Sequence, residues 1–592
     1  MLKKKLKKIS GIRHLAEILL LAVIAAQILN ICISFTQEKI SYHCDELYSY
    51  GLANSFYRPF IENEDIHSWD FEYVNEWFPG EKYHDYITVQ EAQRFRYDSV
   101  WYNQSKDRHP PLYYAALHTI CSFFPDTFSF WFGFILNLVC FAVTQFFLFR
   151  LARNILKSRY LALLFCCMWG LTPAAVNNTL FIRMYCMLTM WTVIFMYLHS
   201  GKYIREDRLN IRKMIPLAAV TALGALTQYL FLVVAFITAC CFCIRFLIKK
   251  QIRNMLVYGM TVLTGVAVFF AVWPAAPGHL LSESGSGGAL SEQFIFAVRY
   301  LFYDILCIKE STLVWLWVFV PPMLGIVIVL AVPLLFLFCD RIHIRQLPAK
   351  LKNSLKKFKI RKIPGLFCKC DVLLYSMILC VVFIVLMTAD KIPFMNGYAN
   401  RYFYIVDPFA AMLLYGLAAA LVSRLRFKGV IVTALTGCLI CNIMLNARIE
   451  SYWDYTNDIR PDELLKDSNV LLVVKSRYKL RTLSTFAYEL KTADNVFMTE
   501  YSAVPAKIKE IGDASDDKPL YIMMQIITSG DDEKGKYFKH QYFDAEKDSY
   551  SITTEYCGDY LKQYAQIADP GQYRYEGKYG FIEGDYLIYR LR

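Results

Sequence analysis

Two adjacent carboxylates, Asp45 and Glu46, stand in the stretch YHCDELYSYGLAN (42–54), directly after the first long apolar block of the chain. A second polar stretch, KDRHPPLYYAALHTI (106–120), follows in the same loop and carries His109. A carboxylate held where a membrane helix gives way to a loop is partly desolvated, which disfavours an unpaired charge and suits a general base for a hydroxyl acceptor. Asp45 can equally be the N-cap of an amphipathic helix with Leu47, Tyr50 and Leu52 against the membrane, and the prolines 110 and 111 can start another helix. Cations sit on the same side. Arg183 lies in FIRMYCM and Arg401 in NGYANRYFYIVDP, with Lys391 nearby, all at chain positions that oppose the positive-inside trend. Snorkelling, or pairing with Asp407 or Glu46, would account for each arginine singly. Two arginines and His109 on one face with an acid pair favour a phosphate-bearing lipid, because guanidinium grips phosphate with two parallel bonds.

The elements that must position these groups follow from hydropathy. The 592 residues are 56% hydrophobic and 16% aromatic, and the apolar residues fall in blocks of about 18 to 27, enough to cross a hydrocarbon core about 30 Å thick. This pattern excludes a single soluble core. About eleven spans are expected, at 15–35, 128–149, 160–176, 180–198, 214–226, 229–248, 255–275, 312–338, 372–389, 402–422 and 430–445. The apolar run 214–248 would measure about 52 Å as one helix, too long for a single crossing. Arg212 and Lys213 precede it and Lys249 and Lys250 follow it, so both ends are expected inside and a hairpin is expected to turn near Thr227–Tyr229 as TQY. The basic loops 150–159, 202–213, 245–253, 341–369 and 424–428 then all fall inside, with the N-terminus cytoplasmic. The net charge of +13 is explained by these loops and gives no support to nucleic-acid binding. The first block, after MLKKKLKKIS, is too long for a signal peptide and has no small-residue cleavage site, so it is expected to be retained.

Outside would lie a first loop (36–126), a loop with SGSGG (284–288) and a polar C-terminal region. The expected division is a membrane domain, 1–446, and an extracytoplasmic α/β domain, 447–592, with strands at 469–474, 495–498, 520–527 and 585–591 and a helix-like LSTFAYELK between them. Without a GxGxxG or P-loop pattern this domain reads as a packing or recognition module. The 18 cysteines lie mostly in apolar blocks without CxxC pairs and read as small core hydrophobes. HCDE is too short and irregular to support a metal site, so no metal ligand is assigned and a divalent ion stays open.

Taken in order, YHCDELYSYGLANS, HPPLYY, FIRMYCML, LGALTQYLF and RYFYIVDPF resemble the motifs of GT-C glycosyltransferases of the family 39 type, which include protein O-mannosyltransferases and aminoarabinose transferases. The resemblance spans 31–409 and leaves the C-terminal domain outside. It implies a GT-C bundle whose first outer loop carries two membrane-parallel helices, at about 46–57 and 111–124. It also implies a polyprenyl-phosphate sugar as donor, with no other cofactor required. Asp45 matches the catalytic loop carboxylate and Glu46 its partner. Arg183, Arg401 and His109 match donor-phosphate positions, with His109 standing where relatives often have Lys. Tyr113, Tyr185, Gln228, Tyr229 and Tyr402 match substrate-pocket positions, and Gln228 replaces a His or Lys of some relatives.

The implied reaction is one inverting displacement. Asp45 takes the acceptor hydroxyl's proton as the oxygen attacks the anomeric carbon, and the lipid phosphate leaves from the opposite face. The acceptor would be a cell-wall polymer, a lipid or a protein hydroxyl. A transporter or flippase of a lipid-linked or small polar substrate is the alternative, but such proteins carry ionisable groups near the bilayer midplane and broken helix pairs, and here acids are almost absent from the apolar blocks. A scaffold acting through the C-terminal domain is a third reading.

Overall fold

The computed structural model describes residues 15–37, 39, 42–65, 70–201, 204, 208–281, 372–388, 401–423, 427–446, 460–474, 480, 483–500, 518–526, 537–544, 549–556, 574–581 and 584–590. The expected span 312–338, the 284–288 loop and Lys391 lie outside these residues. The chain divides into two compact units: residues 1–38 with 137–450, and residues 39–136 with 451–592. The first outer loop therefore groups with the C-terminal region and not with the apolar helices that flank it in sequence.

The first unit is a helical bundle. Its helices include Leu15–Gln37, Arg159–Trp169, Pro173–Leu180, Tyr185–Ser200, Ile211–Thr227, Leu230–Ile248, Ile252–Val272, Val372–Thr388, Asp407–Val422 and Lys428–Asn446, together with most of Phe130–Leu156. Among the described residues five helices are long and apolar enough to cross a membrane, or six if one bent pair counts as a single span. This is the architecture of a multi-pass helical membrane protein. The run 211–248 does break at Gln228 and Tyr229, as the charges at its ends require. The run 160–176 is not one straight span. Proline has no N–H to continue a helix, Thr172 caps a new helix by accepting from the Ala175 amide at 3.3 Å, and the two halves meet at 59°. Gln27 and Gln145 are buried together in the bundle: Gln27 donates to the Cys166 carbonyl at 3.0 Å and accepts from Gln145 at 2.8 Å. Gly170 lies against this pair so closely that a Cβ would come within 2.1 Å of the Gln145 amide nitrogen.

The second unit is built on a six-stranded mixed sheet in the order β1-β3-β2-β4-β8-β7. Its strands are β1 (Trp77–Pro79), β2 (Asn469–Val474), β3 (Asn495–Glu500), β4 (Leu520–Ile526), β7 (Arg574–Phe581) and β8 (Gly584–Arg590), while β5 (Tyr537–Asp544) and β6 (Ser549–Tyr556) form a separate antiparallel pair. Strands β3, β2 and β4 run parallel. Every residue of β2 is buried, which is why NVLLVV is continuously apolar and not alternating. The edge is supplied by the loop: Trp77 pairs antiparallel with Phe497, and Pro79 with Asn495. Proline is tolerated there because an edge strand leaves one row of amides outside the ladder. The sequence expected four of these strands. The remaining ones, WFP, YFKHQYFD, SYSITTEY and RYEGKYGF, carry no continuous aliphatic run that would announce them.

Candidate functional site

In the second unit, the expected loop helices are Cys44–Asn54 and Leu112–Ser122. The cap of the first is His43 and not Asp45. His43 Nδ1 accepts from the Asp45 amide at 3.0 Å, and Glu46, at the third helical position, accepts from the His43 amide at 2.9 Å, completing a reciprocal capping box. The apolar face of this helix also differs from expectation. Leu47, Tyr50 and Leu52 are buried by protein. Tyr50 stands edge-on to Phe128 and Phe130, donates to the Ser129 carbonyl at 2.8 Å and accepts from the Gly133 amide at 2.9 Å.

The two neighbouring acids are thereby separated in kind. Glu46 is completely buried, its Oε1 lies 2.5 Å from Lys39 Nζ, and both side chains are wholly shielded from solvent. Burial drives the Lys39 ammonium below its ordinary value against the pull of Glu46. With one oxygen on Lys39 and the other on the His43 amide, Glu46 is committed to holding the helix start. Asp45 keeps a side chain 20% exposed, with Oδ2 3.8 Å from His43 Nδ1. His43, Cys44 and Asp45 bring possible metal-ligating atoms within 4.8 Å of one another. The lone pair of His43 Nδ1 is already taken by the Asp45 amide, which leaves the imidazole only Nε2 for an ion. That donor set fits a metal poorly.

His109 is 2.7 Å from Asp107, a nearly buried carboxylate that the sequence reading passed over. An aspartate at hydrogen-bond distance fixes the orientation of an imidazole, so His109 belongs to an Asp–His pair and is not a lone cation. Tyr113 is fully buried, edge-on to Tyr114 with ring centres 5.8 Å apart.

In the bundle, two motifs more than two hundred residues apart in sequence meet. Arg183 is buried in the turn after Pro173–Leu180, its amide donating to the Phe181 carbonyl at 2.7 Å. Phe181 stacks on Tyr185 at 6.0 Å, and Tyr185 stands edge-on to Tyr402 at 6.0 Å. The Arg401 guanidinium lies 5.2 Å from the Tyr402 ring centre and 6.0 Å from that of Phe181. The Thr189 hydroxyl, which donates to the Tyr404 carbonyl at 3.2 Å, ties the same two segments together. Asp407, one of the acids considered as an arginine partner, accepts from the Trp169 indole at 2.7 Å, and the other, Glu46, is held by Lys39. Gln228 turns its side-chain oxygen onto the Leu230 amide and so caps the next helix. Tyr229 accepts from the Trp273 indole at 2.9 Å and faces His279 Nδ1 at 2.9 Å. Trp273 and His279 were not singled out by sequence, since neither stands in a recognisable pattern.

No family model matches the chain, and no curated protein matches it. Solved structures similar to the chain include two oligosaccharyltransferases. One is the archaeal oligosaccharyltransferase AglB from Archaeoglobus fulgidus, in complex with an inhibitory peptide and a dolichol-phosphate, at TM-score 0.44 and 10% identity over 90% of this chain and 74% of that one. Another is an oligosaccharyltransferase of Archaeoglobus fulgidus in complex with Zn and sulfate, at TM-score 0.43 and 11% identity over 85% and 68%. A third is ArnT from Cupriavidus metallidurans bound to undecaprenyl phosphate, at TM-score 0.34 and 10% identity over 93% and 96%.

Proposed function

We propose that this chain is a GT-C membrane glycosyltransferase of the family 39 type, moving a sugar from a polyprenyl-phosphate donor to a hydroxyl acceptor on the outer face of the cytoplasmic membrane. Its N-terminus would be cytoplasmic and its C-terminal region outside. The observation that carries the reading is the meeting of Arg401 and Tyr402 with Phe181 and Tyr185, because those segments hold two of the motifs that suggested a donor-phosphate site. Arg183 and Arg401 would bind the lipid phosphate and stabilise the charge that grows on it as it leaves, an effect worth roughly 3 to 4 kcal/mol for one well-placed donor in a low-dielectric site. Asp45 would remove the acceptor proton. Glu46 would hold the helix start on which Asp45 stands, and His109, oriented by Asp107, would be a second polar contact. Tyr113, Tyr185, Gln228, Tyr229 and Tyr402 would shape the substrate pocket.

The test is to incubate purified full-length protein with radiolabelled polyprenyl-phosphate sugars and compare it with Asp45→Asn. Removal of a general base lowers turnover by about 100-fold or more. Consumption of none of the donors by the unmodified protein, or equal consumption by the variant, would refute the proposal.

A further inference from the structure

Helices Leu15–Gln37 and Phe130–Leu156 enclose a groove of about 240 Å³, lined by Glu17, Leu20, Leu21, Phe146, Phe149, Arg150 and Arg153. The lining positions recur at three- and four-residue intervals on each helix, so each helix contributes one face. Leu20 and Phe149 are buried at the floor, while Leu21 is 64% exposed on a helix apolar enough to span a membrane. The groove therefore opens toward lipid.

Its polar end carries two cations against one acid. Arg153 is 3.8 Å from Glu17. Arg150 has no carboxylate partner among the described residues, and its guanidinium folds back over the Phe146 ring at 4.2 Å. A simple snorkelling arginine extends toward water. Arg150 instead lies along the groove wall beside Arg153, where an anion between the two would replace the lost hydration. The volume is below the roughly 300 Å³ of pockets that enclose whole small molecules, so the groove suits a head group whose chains run outside, past Leu21. The end is that of the basic stretch 150–159, which the positive-inside rule assigns to the cytoplasmic leaflet, and basic pockets between membrane helices on that side bind anionic head groups.

We propose that this groove is a binding site for an anionic glycerophospholipid of the inner leaflet, its phosphodiester held by Arg150 and Arg153 and its first acyl carbons lying on Leu20, Leu21, Phe146 and Phe149. The site is independent of the transfer reaction. Its test reads lipid binding and uses no sugar donor.

Native mass spectrometry of the delipidated full-length protein, titrated with phosphatidylglycerol, phosphatidylethanolamine, undecaprenyl phosphate or inorganic phosphate, measures the preference directly. Phosphatidylglycerol should bind about tenfold more tightly than phosphatidylethanolamine, equivalent to about 1.4 kcal/mol. Arg150→Gln combined with Arg153→Gln should abolish that preference, whereas Arg150→Lys, which keeps the charge, should retain most of it. If the double variant does not fold, Glu17→Gln serves in its place, and removing the competing acid should tighten phosphatidylglycerol severalfold. An unchanged preference in the double variant, no tightening in Glu17→Gln, a larger loss of undecaprenyl phosphate than of phosphatidylglycerol binding in the double variant, or full displacement by inorganic phosphate would each overturn the proposal.

Discussion

Asp45 and Glu62 lie in one loop, and their surroundings treat the two carboxyl groups in opposite ways. Asp45 sits in the first turn of Cys44–Asn54, part-exposed, at a helix end whose amides favour an anion. Glu62 is completely buried where the loop meets Leu483–Phe486, its Oε2 taking the Ser484 hydroxyl at 2.5 Å while Ser484 Oγ also accepts from the Ile61 amide at 2.8 Å. Burial pushes the Glu62 carboxyl up to about 7, with the Ser484 hydroxyl and, more weakly, the Arg58 charge pulling the other way. Glu46, equally buried, keeps a lysine instead. The contrast separates acids that hold the unit together, Glu46 and Glu62, from Asp45, which retains access to solvent, and position in the sequence does not make that distinction.

The strongest way to break the contrast is through Glu46. Lys39→Met removes the partner of a fully buried carboxylate, and such a loss is worth about 3 to 5 kcal/mol. Thermal unfolding should show this drop, and adding Glu46→Gln should recover part of it. If Lys39→Met is neutral, Glu46 is not structurally committed and competes with Asp45 for the role of base.

Glu62 comes next. Its carboxyl titrates near 4.5 when unfolded and at about 7 when folded, so the folded state holds the extra proton between those values. The contribution of the group is fully present below about 4.5 and is lost as pH rises through about 7. The loss amounts to roughly 3 kcal/mol at about 1.4 kcal/mol for each pH unit. Stability measured from pH 5 to 8 should therefore fall in the native protein more than in Glu62→Gln, whose amide can still accept from Ser484. Identical pH profiles for the two proteins would remove Glu62 from the buried class.

How far these distinctions could be read from sequence varies by region. The bundle was legible because continuous apolar blocks bounded by basic loops admit few other structures, and the break at Gln228 followed from charge. The bend before Pro173 was written in the sequence but was overridden by the apolar run around it. In the other unit, β2 and β4 were visible as buried β-rich runs, whereas β1 is three loop residues whose strand character comes only from pairing with β3. The apolar face of Cys44–Asn54 was legible as a pattern. Its partner was not, because Phe128 and Phe130 lie far along the chain and compete with lipid for the same surface. The state of Glu62 depends on Ser484, more than four hundred residues away, and no local pattern encodes it. Of the candidate site, the residue types and their order were legible, while the commitment of Glu46 to Lys39 and of His109 to Asp107 depended on geometry.

The smallest expected effect sharpens the contrast most, because it asks whether Asp45 depends on its own cap. His43 Nδ1 accepts from the Asp45 amide and its ring lies 3.8 Å from the Asp45 carboxylate, so the imidazole could serve as a cap, as a chemical partner, or as both. Asparagine is among the best N-caps and places an oxygen where it can accept the same amide, whereas alanine cannot, at about 1 kcal/mol of stability. His43→Ala should therefore lower the unfolding temperature and reduce sugar transfer chiefly through kcat, as the first turn carrying Asp45 loosens. His43→Asn should restore both. Restored stability without restored transfer would mean that the imidazole itself takes part in the proton's path, and the division between structural and reactive groups would then run through His43 as well as between Glu46 and Asp45.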